Sequence, residues 1–189
     1  GYSWYTWGRP LGVASVIAII VGGSAGFING LFIIRMKVPP LIMTLASLTF
    51  YRGLAELIAE GRSVRNYPDW FYELGAGESP GIPNQLYLLV IATIITAIIL
   101  SRTTFGRSLY AIGNNELAAR FSGIPVNRNK LIIYTFSGFM AGLAGYILVS
   151  RVTTTRSDMG SGWELDAIAA VVLGGTSIFG GSGSIVGTA

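Results

Sequence analysis

Pro10 to Ile34 reads P-L-G-V-A-S-V-I-A-I-I-V-G-G-S-A-G-F-I-N-G-L-F-I-I, 25 residues without a single charge. The hydrocarbon core of a bilayer is about 30 Å thick and takes about 20 apolar helical residues to cross, so this stretch alone is long enough to span it. The same length recurs along the chain. Gly81 to Ser101 is uncharged over 21 residues, Leu131 to Ser150 over 20 and Ala167 to Ala189 over 23, while Val38 to Ile58 is apolar apart from Arg52 and Glu56. Of the 189 residues, 51% are apolar and 12% charged, against about a quarter charged in soluble domains. The predicted fold is all-α, a polytopic transmembrane helical bundle. Residues 1–189 are expected to form part of one transmembrane domain, with spans at 11–34, 39–58, 82–101 and 131–150, a partial span at 165–189 and a basic loop at 102–130.

The net charge of +4 comes from 13 Lys and Arg against 9 Asp and Glu. These bases cluster at span ends, which points to membrane topology and away from nucleic acid. There is no Cys and no His, so disulfides, thiolate chemistry and the common zinc sites are excluded, and no metal or cofactor is expected. With no initiating methionine, no signal-peptide pattern and an apolar Gly-Thr-Ala end, the expectation is an excerpt of a longer polypeptide with further spans on both sides.

Short loops rich in Lys and Arg face the cytoplasm. The 102–130 loop carries Arg102, Arg107, Arg120, Arg128 and Lys130 against Glu116 alone, and the turn Arg35-Met36-Lys37 is basic too. Both are expected inside. Ala59 to Pro80 holds two bases against four acids and is expected outside, where Tyr67 to Leu74 reads as an interfacial helix with Trp70, Phe71 and Leu74 as its apolar stripe. The alternative is a seat for a soluble binding protein. Tyr2, Trp4, Tyr5 and Trp7 read as an outer aromatic belt.

Small residues mark helix contacts in lipid. Gly22, Gly26 and Gly30 fall in one row of the first span; Ser137, Ala141 and Gly145 form one row of the fourth, with Gly138 and Gly142 in the next. All are expected to pack against protein. Asn29 is read first as an interhelical hydrogen-bonding group and second as a substrate contact. Pro39 and Pro40 open the second span, where missing amide donors are tolerated. Arg52 and Glu56, four residues apart, share a face. They read either as a mutually neutralising pair or as a functional site within the membrane.

The last apolar stretch is interrupted by Gly174, Gly175, Gly180, Gly181 and Gly183. Backbone that leaves helical geometry at membrane depth needs protein or a water-filled path beside it, so a broken, glycine-rich membrane segment near the translocation path is expected. Asn29, Arg52, Glu56, Gly175, Thr176, Ser177 and Gly181 are the candidates for that path. A phosphate loop is excluded, since Gly181 stands where such a loop requires lysine.

Within the basic loop, G-N-N-E-L-A-A-R-F-S-G-I at 113–124 encodes a short capped helix. Asn114 or Asn115 can cap it, Glu116 suits its positive end, Gly123 terminates it and Pro125 prevents continuation. Leu117, Phe121 and Ile124 then share an apolar face. A two-turn helix is marginal alone in water, so it needs either a partner or the lipid surface.

Three motifs, V-P-P-L-I-M-T-L-A-S-L-T-F-Y-R-G-L-A at 38–55, F-G-R-S-L-Y-A-I-G-N-N-E-L-A-A-R-F-S-G-I at 105–124 and E-L-D-A-I-A-A-V-V-L-G-G-T-S-I-F-G-G-S-G-S at 164–184, resemble permease subunits of ABC importers of the ribose, xylose, rhamnose and autoinducer-2 class. The resemblance implies a transport subunit in a bacterial inner membrane that is not itself an enzyme. It implies a second permease chain, identical or not, a separate ATPase subunit and a periplasmic substrate-binding protein. The cargo it implies is a small hydrophilic solute, a monosaccharide first. The other readings are a branched-chain amino acid permease of the same superfamily and a secondary transporter or channel. It places the ATPase-coupling motif on Glu116, Leu117, Ala118, Ala119, Phe121, Ser122, Gly123 and Ile124. In the importer motif a glutamate directly precedes the two alanines; Leu117 stands there instead, and Glu116 lies about 100° away around the helix. The docking role is therefore carried over without that ion pair.

Overall fold

The structure, a computed structural model, describes residues 11–65, 67, 68, 71, 75, 77–79, 81–177, 180–183 and 185–188. The aromatic residues expected as an outer belt, together with Trp70 and Leu74, lie outside them. Helix α1 is Leu11–Met36, α2 Pro40–Ala59, α3 Asn84–Arg102, α4 Thr104–Asn114, α5 Glu116–Phe121, α6 Val126–Val152, α7 Trp163–Leu173 and α8 Ile185–Thr188. Two-residue strands, β1 at Glu78–Ser79 and β2 at Ile82–Pro83, pair antiparallel. Among the described residues four helices, α1, α2, α3 and α6, are long and apolar enough to cross a membrane, and the chain is an all-α polytopic membrane protein.

The helices run past the uncharged stretches that announce them. α6 begins at Val126 and so includes Arg128 and Lys130, because a backbone ladder does not stop where hydrophobicity does. Most large apolar side chains of α3 are exposed and none is fully buried. This follows from lipid being as apolar as leucine, so that packing between spans relies on close fit.

The chain divides into two compact units, 1–85 with 130–159 and 86–129 with 160–189. In the first, α1 meets α6 along a glycine seam. A Cβ built on Gly22 would lie 2.6 Å from the Gly138 carbonyl oxygen and 3.0 Å from Gly142 Cα, and one on Gly26 would collide with the Tyr134 carbonyl. Backbone meets backbone there. Ser137, Ala141 and Gly145, expected to be packed as well, are exposed; the row that reaches α1 is Gly138 and Gly142.

α2 joins α1 through side chains. Asn29 Nδ2 donates to Ser47 Oγ at 3.0 Å, and the Tyr51 hydroxyl donates to Asn29 Oδ1 at 3.3 Å. Ser47 is buried. The amide of Asn29 is thus spent on helix pairing.

The α2–α3 connection folds back onto the end of α6. Val64 and Thr155 exchange both backbone hydrogen bonds, at 3.1 and 2.9 Å. Phe71 is 2% exposed, stacked on Tyr67 with ring centroids 5.1 Å apart and edge-on to Tyr146 at 5.4 Å. Its carbonyl accepts from the buried Ser150 hydroxyl. Phe71 was expected on a lipid-facing stripe; it is a packing residue instead, because two tyrosines and α6 cover it. Burial pushes the Tyr67 hydroxyl above its ordinary pKa of 10.0, and its hydrogen bond to Thr155 partly opposes this.

Candidate functional site

The second unit holds the capped helix and the glycine-rich break. After α3, the Thr103 hydroxyl accepts from Gly106 N at 3.1 Å and caps α4. This eleven-residue amphipathic helix was not anticipated within the 102–130 loop. Its signal is present in the cap and in Phe105, Leu109 and Ile112, spaced four and three residues apart. Asn129, 6% exposed, donates to Ser108 Oγ at 2.8 Å and fastens α4 to the first turn of α6.

Asn115 ends α4 and starts α5. Its amide donates to Ala111 O at 3.1 Å, its extended backbone breaks the helix, and its Oδ1 accepts from Ala118 N at 3.0 Å. One residue separates two helices. Glu116 sits in the first turn of α5 and pairs with Arg120 at 3.1 Å; Arg120 is exposed and Glu116 partly so, and an i,i+4 pair of this kind is worth at most about 0.5 kcal/mol. Arg120 also donates to Asn127 Oδ1 at 3.4 Å.

The far end closes as a Schellman motif. Gly123, with φ +80°, donates to Arg120 O at 3.2 Å, and Ile124 donates to Ala119 O at 3.1 Å. The Ser122 hydroxyl donates to Ala118 O at 2.9 Å. The helix therefore ends at Phe121 rather than running on to Ile124, which is half-buried beyond it.

The faces of α5 differ in chemistry. Leu117 is 68% exposed and Phe121 90%, whereas Ala119 is 4% exposed. Ala118 is exposed. Of the two alanines expected to let a partner approach, Ala118 is open and Ala119 packs inside its own chain. A leucine and a phenylalanine on so short a helix form an outward apolar patch with a charged flank at Glu116 and Arg120.

The break after α7 is also built locally. Gly175, with φ +84°, donates to Val172 O at 3.0 Å while Thr176 donates to Val171 O at 3.1 Å, the same Schellman stop. The loop then closes on itself, with Ser177 N bonded to Ser182 O at 2.9 Å and Gly180 N to Ser177 O at 3.1 Å. The Thr176 and Thr188 hydroxyls lie 3.4 Å apart, and a Cβ on Gly174 would meet Gly187 O at 2.5 Å. Gly181 touches Asn114 and Gly113.

In the first unit, Arg52 is half-buried and Glu56 exposed. Among the described residues they form no ion pair with each other. Spacing of four permits such a pair but does not enforce it, so the expectation of mutual neutralisation is corrected. Asn29, Arg52 and Glu56 belong to one unit and Gly175, Thr176, Ser177 and Gly181 to the other. Among the described residues no group of three or more His, Cys, Asp or Glu could hold a metal ion.

Similarity to known proteins covers nearly the whole chain. It is 46% identical over 185 residues to a ribose import permease of Bacillus subtilis, a match spanning 94% of this chain and 57% of that protein. The L-arabinose transport system permease of Escherichia coli is 44% identical over 158 residues, 84% of this chain and 48% of that protein. An autoinducer 2 import system permease of Photorhabdus luminescens is 38% identical over 180 residues, 95% of this chain and 54% of that one. The chain spans about half the length of these curated relatives. No solved structure matches. Residues 3–189 match the family described as branched-chain amino acid transport system / permease component, and the chain belongs to that family.

Proposed function

We propose that this chain is part of the permease subunit of an ATP-driven importer in a bacterial inner membrane, carrying a monosaccharide or similar small hydrophilic solute into the cytoplasm. The observation that carries the reading is the outward Leu117 and Phe121 on a helix capped at both ends but too short to be stable unsupported. That is the form of a docking element for an ATPase subunit, and the basic charge of the loop supports a cytoplasmic position. ATP hydrolysis belongs to that partner. A periplasmic binding protein delivers the solute, and a second permease chain completes the pathway. Ribose and arabinose in the names of its relatives favour a sugar, whereas the family description keeps branched-chain amino acids as the second reading.

Within the membrane, half-buried Arg52 is a proposed contact for a polar cargo, with Glu56 one turn further on. Asn29 is occupied by α2, which favours a structural role. In the other unit, Thr176 and Ser177 are half-buried hydroxyls beside the helix break at Gly175 and Gly181, a separate candidate for contact with the solute.

The test is reconstitution of the full-length permease with its ATPase and binding protein. Uptake of ribose or arabinose that needs ATP and saturates is expected. Leucine uptake in its place selects the second reading, and uptake independent of ATP selects a secondary transporter or channel. Ala118→Glu, placing a carboxylate on the exposed face of α5, should insert normally and bind the loaded periplasmic partner, yet lose the ATPase on purification. Wild-type ATPase retention and transport in that variant would remove α5 from the docking surface.

A further inference from the structure

The last turn of α4 and the glycine loop after α7 are far apart in sequence and touch at backbone distance. A Cβ on Gly113 would strike the Gly181 amide nitrogen and lie 3.0 Å from Gly181 Cα, and one on Gly180 would lie 3.0 Å from the Gly113 carbonyl oxygen. These are main-chain atoms, which no rotamer change can move aside. Both loop glycines have positive φ, +90° at Gly180 and +80° at Gly181, a conformation that side-chain-bearing residues rarely adopt. Two backbones can meet here only because glycine stands on each side.

The contact is also keyed. The Tyr110 hydroxyl, one helical turn before Gly113, donates to the Gly183 carbonyl at 3.1 Å. Asn114 lies against Gly181, and the next residue, Asn115, caps α5. The path from the exposed Leu117 and Phe121 to the broken segment therefore runs through one extended residue and one helical turn. On the far side the loop is stiffened by its internal hydrogen bonds and is packed against α8 at Gly174 and Gly187.

We infer that Tyr110, Gly113 and the 180–183 backbone form the joint through which movement of α5 reaches the glycine-broken segment, with Tyr110 and Gly113 as positioning residues. This rests on the reading of α5 as the ATPase-docking helix. Close-packed interfaces transmit displacement because they cannot be compressed. A contact made of backbone on both sides has less give than one made of long side chains.

The experiment uses the full-length permease reconstituted with its ATPase and binding protein, reading solute imported per ATP hydrolysed. Gly113→Ala, whose methyl forces the two backbones apart, should keep the ATPase through purification and keep hydrolysis stimulated by the binding protein. Its uptake per ATP should fall at least about tenfold. Tyr110→Phe removes only the hydroxyl donor, worth about a fivefold effect if a net hydrogen bond of about 1 kcal/mol sets the coupling, and it serves alone if Gly113→Ala does not accumulate in the membrane. Unchanged uptake per ATP in the variant tested overturns the joint. Loss of the ATPase on purification also overturns it, because the contact would then merely hold the docking helix in place. A wild-type protein that neither retains the ATPase nor takes up solute would instead sink the underlying assignment, which separates the two failures.

Discussion

Truncating Phe121 to alanine measures what α5 contributes to docking. Phe121 is 90% exposed and Leu117 68%, so almost all of the phenylalanine surface and two-thirds of the leucine surface remain to be covered by a partner. Full desolvation of such a side chain is worth about 1.5–3 kcal/mol. Scaled by the exposed fraction, Phe121 contributes about 1.4–2.7 kcal/mol and Leu117 about 1–2 kcal/mol. Phe121→Ala should therefore weaken ATPase binding about 10- to 85-fold, at 1.4 kcal/mol per factor of ten. The assay is a titration of labelled ATPase subunit against full-length permease in nanodiscs, with the thermal midpoint of the free permease as control. That midpoint should not move, since the ring makes almost no contact within its own chain. Ala119→Ser, altering the 4% exposed inward face, should leave binding within about twofold if it folds. A Phe121→Ala variant binding as tightly as wild type, with its own stability intact, would refute the reasoning.

Three further outcomes follow from the geometry. Gly26→Ala drives a methyl into the Tyr134 carbonyl across the α1–α6 seam; overpacking of about 1–3 kcal/mol should lower the thermal midpoint in detergent by roughly 2–10 °C, whereas Gly145→Ala, with nothing within 4 Å, should leave it unchanged. Gly175→Leu and Gly181→Leu place side chains at φ +84° and +80°, which costs on the order of 1–2 kcal/mol each; both should insert and yet block solute movement, and wild-type uptake in both would take the break away from the pathway. Burial raises the Tyr67 pKa above 10.0, so its contribution to stability is fully present below about pH 10 and is lost as pH rises through the folded-state value; Tyr67→Phe should flatten that alkaline loss in a pH series of thermal midpoints.

The sequence announces what is decided locally. Apolar runs of bilayer length, uncharged for α1, α3 and α6 and interrupted only by Arg52 and Glu56 for α2, foretell these helices, because a helix satisfies its backbone within its own segment in hydrocarbon. Asn115, Gly123 and Pro125 mark the ends of α5 through cap and turn chemistry acting over three or four residues. The inward burial of Ala119 was not legible, since which side of a two-turn helix meets its own chain depends on α4 and α6. Nor was the contact between Gly113 and Gly181, since neither stretch carries a local signal that names the other. Arg52 and Glu56 show the limit from the other direction: their spacing of four allows a bond that long, flexible side chains are not compelled to make.

The glycine seam makes α1 sensitive to something other than residue identity. An α-helix turns about 100° per residue, so one residue inserted after Gly22 would rotate everything beyond it and bring Ala25 to the place of Gly26 and Asn29 to that of Gly30. The methyl would enter the carbonyl contact with Tyr134, and the amide would swing away from Ser47 and Tyr51. Two helix pairings would fail together. The same insertion just after Ile33 disturbs neither, since the seam and the Asn29 bonds lie before it. Length variation in this helix is thus admissible at its end and barred between Gly22 and Gly30, whatever the inserted residue.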